Sequence, residues 1–267
     1  MKAAHAPDTL NQLKTLSTPE ESPMKIFRRT AMLAITAVAA LTVLPAFSAT
    51  PQSNPTQEMR IGVIGSGSLG GSVGRALVKG GHEVMFSSRN PDELRAMAKA
   101  LGPKASVGTP KEAAAFGEVI LTALPYSALP SIGQDLKSEL RGKIVIDASN
   151  PTRWSDGDLY QQAMHDGVGA TSARLLPGTR LVRGFSAVNA TAIAASSEGR
   201  RTTLAVPIAS DDQAALEVVA QLVRDAKSAP VITGNLESSR QFEDGTPIDE
   251  ADTDEATLRS MLKLPKS

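Results

Sequence analysis

The stretch MRIGVIGSGSLGGSVGRALVK, residues 59–79, decides the fold. Met59 to Ile64 is a β-branched apolar run, and apolar residues then recur at Leu69, Val73, Leu77 and Val78 with helical spacing. Between them lies Gly65-Ser66-Gly67-Ser68-Leu69-Gly70, so the order is strand, glycine turn, helix. In that setting each glycine has a physical task. Gly65 permits the tight turn, Gly67 lets a pyrophosphate approach the backbone, and Gly70 lets helix and strand pack closely. The unpaired N–H groups at the helix start favour the phosphate charge. A lone glycine-rich loop carries little weight, but one flanked by strand and helix points to dinucleotide binding.

Downstream the pattern repeats. Glu83 to Ser87 reads as a strand, Pro91 to Leu101 as a helix opened by Asn90 and Pro91, and Glu118 to Leu124 and Lys143 to Asp147 as buried strands. After a glycine-rich loop, Arg180 to Phe185, Thr202 to Val206 and Pro230 to Thr233 supply three more strands, with an amphipathic helix at Asp211 to Lys227. This alternation predicts an α/β fold: a doubly wound, mostly parallel Rossmann-type sheet in a single compact domain, residues 59–248, with extra C-terminal strands. Residues 249–267 turn acidic and then Lys-rich, with few apolar side chains, and read as a loosely docked helix or a tail.

The end of the second strand selects the dinucleotide. It reads Phe86-Ser87-Ser88-Arg89-Asn90, with no carboxylate for the ribose hydroxyls of NAD. Methyltransferases, which also use glycine loops at first strands, usually place an acidic residue here too. Arg89 offers a cation with planar donors, and Ser87 and Ser88 offer hydroxyls, a set suited to a 2′-phosphate. The expected cofactor is NADP.

The 267 residues hold 28 basic and 28 acidic side chains, no cysteine and 3% aromatic residues. A neutral chain has no global field to recruit nucleic acid, and so few aromatics leave little for stacking on single strands. Without cysteine there are no disulfides, thiol nucleophiles or cysteine zinc sites. From Met24, the basic residues Lys25, Arg28 and Arg29 precede an uncharged Ala-rich run ending in small residues near Ser48 and Ala49. This is the pattern of a signal peptide, residues 24–48, and Arg28-Arg29 also partly matches a twin-arginine signal. The expected location is periplasmic or secreted after cleavage, with residues 1–23 a mis-assigned start or a disordered leader and 49–58 a linker. Five basic and three acidic side chains lie in residues 1–48, leaving the remainder at a net charge of −2.

The segments MRIGVIGSGSLGGSVGRALVKGGHEVMFSSRNPDEL, VILTALPYSAL, IVIDASNP and LVRGFSAVNA resemble the NADP-dependent oxidoreductases related to the coenzyme F420-dependent NADP reductases, from about Met59 to Pro247. The resemblance implies a Rossmann protein that moves a hydride between NADP and a deazaflavin. It also implies that Ser66, Ser68 and Leu69 join the glycines at the pyrophosphate, that Ser88 and Arg89 hold the 2′-phosphate, and that Ala123, Leu124 and Pro125 line the nicotinamide side, with Asn150 and Asn189 edging the same pocket.

No catalytic side chain is expected, because hydride transfer between two rings depends on proximity and orientation rather than on an acid or base. His82, at the entry to the second strand, reads as structural. His165 falls in a loop-rich stretch, Trp154 to Gly169, and reads as a surface histidine. Asp147 reads as a cap for the following loop. Tyr126 and Trp154 are rare aromatics near pocket segments, each suited either to stacking on an acceptor ring or to packing under a loop. The acidic cluster from Glu243 to Glu255 matches no calcium loop and reads as a solvated face. The predicted function is an NADP(H)-dependent oxidoreductase with a flavin-like (coenzyme F420-type), quinone or ferric acceptor. Two alternatives stand beside it: a non-catalytic NADP-binding or sensing module, and a reductase of small imines. The expected partners are a small-molecule acceptor and, as an open alternative, a second copy in a homodimer, with no nucleic acid and no membrane anchor once the signal is removed.

Overall fold

The computed structural model describes residues 57–265, so the expected signal segment and leader lie outside the described residues. Eight strands form one sheet: β1 (Arg60–Ile64), β2 (Glu83–Ser87), β3 (Ala105–Gly108), β4 (Val119–Thr122), β5 (Ile144–Asp147), β6 (Arg180–Gly184), β7 (Leu204–Ala209) and β8 (Ser228–Gly234). Their spatial order is β3-β2-β1-β4-β5-β6-β7-β8, parallel throughout except between β6 and β7. The doubly wound Rossmann-type sheet predicted from the alternation is therefore present, with β7 and β8 as its C-terminal extension.

Helices α1 (Ser68–Lys79), α2 (Pro91–Leu101), α3 (Pro110–Phe116), α4 (Leu129–Asp135), α5 (Lys137–Leu140), α6 (Gly157–Asp166), α7 (Val168–Leu175), α8 (Ala190–Ser197), α9 (Gln213–Asp225) and α10 (Glu255–Met261) complete the domain. On one face of the sheet, Val73 and Leu77 of α1, Ile193 of α8 and Val219 of α9 pack on Ile61, Val63 and Val206. On the other, Leu129 of α4 and Val168 of α7 pack on Ile64, Ile120 and Val145. Each such fully buried side chain contributes roughly 1.5–3 kcal/mol relative to an exposed one. None of the helices among the described residues is long and apolar enough to cross a membrane.

Three differences from the sequence reading have physical reasons. Strand β3 and helix α3 were not expected, because Ala-Ser-Val-Gly has no apolar run and its residues are half-buried at the sheet edge. The stretch expected as loop holds α6 and α7, whose small and polar residues give a weak apolar stripe, and His165 sits in the last turn of α6. Strand β7 carries Pro207 although it lies inside the sheet. Its ladder with β6 covers only Arg183↔Ala209 and Gly184↔Ile208, and Pro207 falls beyond it.

His82 has the structural role expected. Its Nδ1 accepts from Met59 N–H at 3.3 Å, which leaves the proton on Nε2 to donate to Asp225 Oδ2 at 3.1 Å. Residues 249–265 are packed rather than trailing: Leu258 and Leu262 are buried with Ile248, Ala205 and Phe242. Thr253 C=O accepts from Ala205 N–H, and Ala187 C=O from Glu250 N–H. The acidic cluster is likewise partly internal, since buried Glu243 accepts from Val168 N–H at 2.8 Å while Asp254 caps α10. Among the described residues no three His, Asp or Glu side chains are grouped to hold a metal ion.

Burial, with the carboxylates of Asp244 and Glu250, pushes the Asp249 carboxyl up to about 6. A carboxyl raised in the folded state is penalised once ionised, so its unfavourable effect is absent at low pH and grows as pH rises through the interval from about 4 to 6. Asp249→Asn should therefore raise the melting temperature at pH 7 and have little effect at pH 4, as read by thermal denaturation across that range.

Candidate functional site

The ends of β1 and β2 are clamped by backbone. The N–H groups of Gly65 and Ser66 both donate to Ser87 C=O, at 3.2 and 2.9 Å, and Ser66 Oγ accepts from Ser87 N–H at 3.1 Å. Gly65 stands at φ +96°, and a Cβ there would lie 2.4 Å from the Ala123 carbonyl oxygen. A Cβ on Gly70 would meet the Gly65 carbonyl oxygen at 2.2 Å. The fold itself therefore demands both glycines. Gly67 is different: its φ is −73°, and an added Cβ would meet nothing within 4 Å. No contact within the protein requires glycine at 67, and the open space above it is the cradle a pyrophosphate would fill.

This space belongs to a cleft of about 510 Å³ between the glycine turn and the end of β4. Gly65, Ser66, Gly67, Ser88 and Arg89 line one side, and Ala123, Leu124 and Pro125 the other. Helix α1 opens into it with no side-chain cap and no acidic residue in its first turn, so its first N–H groups remain available to an anion. Arg89 is exposed, makes no ion pair or hydrogen bond among the described residues, and is the one charged side chain among the lining residues. Ser88 Oγ accepts from Asn90 N–H at 2.9 Å and keeps its own proton to donate. The remainder of the cleft is mostly apolar, extended by Pro110, Ala128 and Ile132. An anion-binding end joined to an apolar slot fits an NADP whose phosphates lie at the glycine turn and Arg89 and whose nicotinamide lies along Ala123 to Pro125.

The other predicted site residues take different places. Ser87 is fully buried, and its hydroxyl donates to Val63 C=O at 2.7 Å, so it fastens the two strands instead of facing a phosphate. Ser68, Leu69 and Gly70 form the first turn of α1 and do not line the cleft; what they offer a ligand is backbone N–H. Asn150 donates from Nδ2 to Ser186 C=O at 2.6 Å and accepts on Oδ1 from Arg183 at 2.8 Å. Asn189 caps α8 through Thr191 N–H. Neither asparagine lines the cleft.

Sequence reading missed Arg183. It is wholly buried, with Nη1 2.7 Å from Asp147 Oδ2 and 2.8 Å from Ser149 C=O. The Asp147 Oδ1 atom accepts from Thr122 Oγ1 and from Ser149 N–H, each at 3.0 Å, so Asp147 caps the loop as expected and also holds a buried ion pair. The two residues are register partners on β5 and β6. A cation inside an apolar strand, level with an aspartate ending the preceding strand, was the available signal. Ser149 Oγ in turn accepts from Leu124 N–H at 3.3 Å, which joins this pair to the cleft wall.

The aromatics separate as well. Tyr126 is fully buried, and its hydroxyl lies 3.3 Å from Val168 C=O and 3.1 Å from Ser172 Oγ. Burial pushes its pKa up to about 12, so it is neither a stacking face nor a proton donor at neutral pH. His165 is exposed and paired with Asp166 at 2.6 Å. Trp154 is 92% exposed.

Residues 60–151 match the family model described as NADP oxidoreductase coenzyme F420-dependent. The chain is 31% identical over 193 residues to the metalloreductase STEAP3 of Rattus norvegicus, a match covering 71% of this chain and 36% of the relative, so the chain spans about a third of that protein. It is 29% identical over 204 residues to the F420-dependent NADP reductase of Methanothermobacter thermautotrophicus, covering 71% of this chain and 87% of the relative. The crystal structure of a putative F420-dependent NADP reductase from an Arthrobacter species superposes with a TM-score of 0.57 at 25% identity, over 68% of this chain and 87% of that one. Residues 60–151, about a third of the chain, thus match the model of this NADP oxidoreductase family, and the likenesses together with the cleft support NADP as the dinucleotide.

Two substitutions test the site. Gly67→Val fills the cradle without meeting the protein, so the variant should keep its circular dichroism and melting temperature and lose NADPH binding by fluorescence titration. Arg89→Ala should weaken NADPH by roughly 1.5–3 kcal/mol, about ten- to a hundredfold in Kd, and leave NADH nearly unchanged. Equal losses for the two cofactors would remove Arg89 from the 2′-phosphate.

Proposed function

We propose that the chain oxidises NADPH by passing its hydride to a small flavin-type acceptor of the coenzyme F420 class. The observation that carries this reading is the composition of the cleft: a phosphate-binding end built from the glycine turn and Arg89, an apolar slot beside it, and no carboxylate, histidine, lysine or tyrosine among the lining residues. NADPH, when bound, supplies the hydride. The protein's own part is to hold and orient. The first turn of α1 and Arg89 fix the phosphates, while Ala123, Leu124 and Pro125 present an apolar wall that displaces water from the nicotinamide face. The Asp147–Arg183 pair acts one layer behind, through Ser149, on Leu124.

A flavin-type acceptor is favoured over a ferric one by the extent of the correspondence, since the chain matches 87% of the length of the archaeal reductase and 36% of the metalloreductase. The imine-reductase alternative expects a long helical segment after the Rossmann half, and the described residues from Arg180 onward instead return to the sheet as β6, β7 and β8, with the short helices α8, α9 and α10 between and after them.

The test is NADPH consumption at 340 nm by the purified protein with a deazaflavin, FMN, a quinone and ferric citrate offered in turn. The expected outcome is stoichiometric NADPH oxidation with a deazaflavin or flavin, and at least tenfold lower kcat/KM with NADH, the ratio set by roughly 1.4 kcal/mol or more of 2′-phosphate binding. Saturable NADPH binding without turnover on any acceptor would assign the protein instead as a cofactor-binding module.

A further inference from the structure

We infer that Trp154 is a stacking face for the acceptor ring, set beside the cleft by the Asp156 carboxylate; the inference rests on the reductase reading above and narrows the acceptor to a planar conjugated molecule. Single exposed apolar residues are ordinary on protein surfaces. What distinguishes Trp154 is the turn that carries it. Asp156 is buried, and its Oδ2 accepts from Thr152 N–H at 2.6 Å and from Ser155 Oγ at 3.1 Å, while Thr152 Oγ1 and Ser155 Oγ lie 2.5 Å apart. Burial opposes ionisation of this carboxyl, but the hydrogen bonds from Thr152, Ser127 and Ser155 outweigh it and hold the group below the usual carboxylate range. The turn from Thr152 to Asp156 is therefore tied down at both ends around its single charge.

The same carboxylate reaches the cleft. Its Oδ1 accepts from Ser127 N–H at 2.9 Å, and Ser127 lines the cleft next to Ala128, on the side of Ala123 to Pro125. The turn and the cleft lip are thus one hydrogen-bonded unit, and Trp154 is the aromatic residue among the exposed side chains of that turn. The chain has a single tryptophan, and this fold leaves it 92% exposed on a hydrogen-bonded turn whose Asp156 is bonded to the cleft-lining Ser127. An indole face displayed in this way selects for flat conjugated rings, because stacking requires an extended π surface and offers little to a compact ferric chelate. Tyr126 is buried, and the half-buried ring of Tyr160 carries the Arg153 guanidinium over it at 5.8 Å, so neither shares the task.

Riboflavin, which carries the ring without a phosphate, is the probe. In turnover it would gain the hydride of NADPH and one proton from solvent, leaving NADP⁺ and the dihydro ring. Binding is read first, without chemistry, by quenching of riboflavin fluorescence in the protein loaded with NADP⁺. Trp154→Ala should raise the riboflavin Kd about tenfold, and Trp154→Phe should restore it to within about threefold, in line with the cost of removing an aromatic stacking partner. NADP⁺ affinity should be unchanged in both variants, and in turnover Trp154→Ala should raise the riboflavin KM with little change in kcat. An unchanged riboflavin Kd in Trp154→Ala would overturn the inference, and if the sedimentation coefficient changed at the same time the ring would belong to a contact between copies of the chain. Riboflavin binding that responds to Trp154→Ala without any NADPH oxidation would sustain the stacking site and defeat the reductase reading. Oxidation at equal KM in wild type and Trp154→Ala would do the reverse.

Discussion

The site depends on one contact between backbones. Gly65 carries its chain past the end of β4 so closely that a Cβ would sit 2.4 Å from the Ala123 carbonyl oxygen, and Gly70 lets the first turn of α1 lie as close to Gly65 itself. Any side chain at either position would push the helix start away from the sheet. Because neither moves, the uncapped N–H groups of α1 and the apolar wall of Ala123 to Pro125 stand on opposite sides of one narrow cleft. Gly67 sits between them under no such demand from the protein, which makes it the glycine kept for the ligand.

Around this contact the strand ends are fixed by groups that take no part in binding. Ser87 ties β2 to β1, and the buried Asp147–Arg183 pair ties β5 to β6 while holding the carbonyl of Ser149 and the amide of Asn150. A buried pair of this kind is weak support for stability as such, but removing one partner leaves an uncompensated charge at a cost of about 3–5 kcal/mol. Its value here lies in geometry. The pair fixes the loop after β5, whose Ser149 holds Leu124 in the cleft wall and whose Asp156 holds both Ser127 and the turn bearing Trp154.

How much of this was legible in sequence varied with the kind of interaction. Helices α1 and α2 and strand β2 were read to their observed ends, because a change of apolar period is punctuated there by glycine or proline. Strand β3 was invisible for lack of an apolar run, and the antiparallel turn from β6 to β7 was invisible because a strand pattern carries no direction. In the site, Gly65, Gly67, Ser88 and Arg89 were legible from strand ends and Ser66 and Ala123 to Pro125 from the family resemblance, and the structure brings all of them to one cleft. Ser87 was misread: a hydroxyl at a strand end looks available until the neighbouring strand's carbonyl is seen to take it. The Asp156 contact with Ser127 joins loops 29 residues apart in the chain and had no local signature.

The central claim is that the cleft between the glycine turn and the end of β4 is the NADP site. A crystal structure of the protein with NADPH bound tests it most directly. The account predicts the pyrophosphate over Gly67 at the start of α1, the 2′-phosphate against Arg89 and Ser88, and the nicotinamide along Ala123 to Pro125. Nucleotide density in any other cleft, or a 2′-phosphate turned away from Arg89, would contradict it.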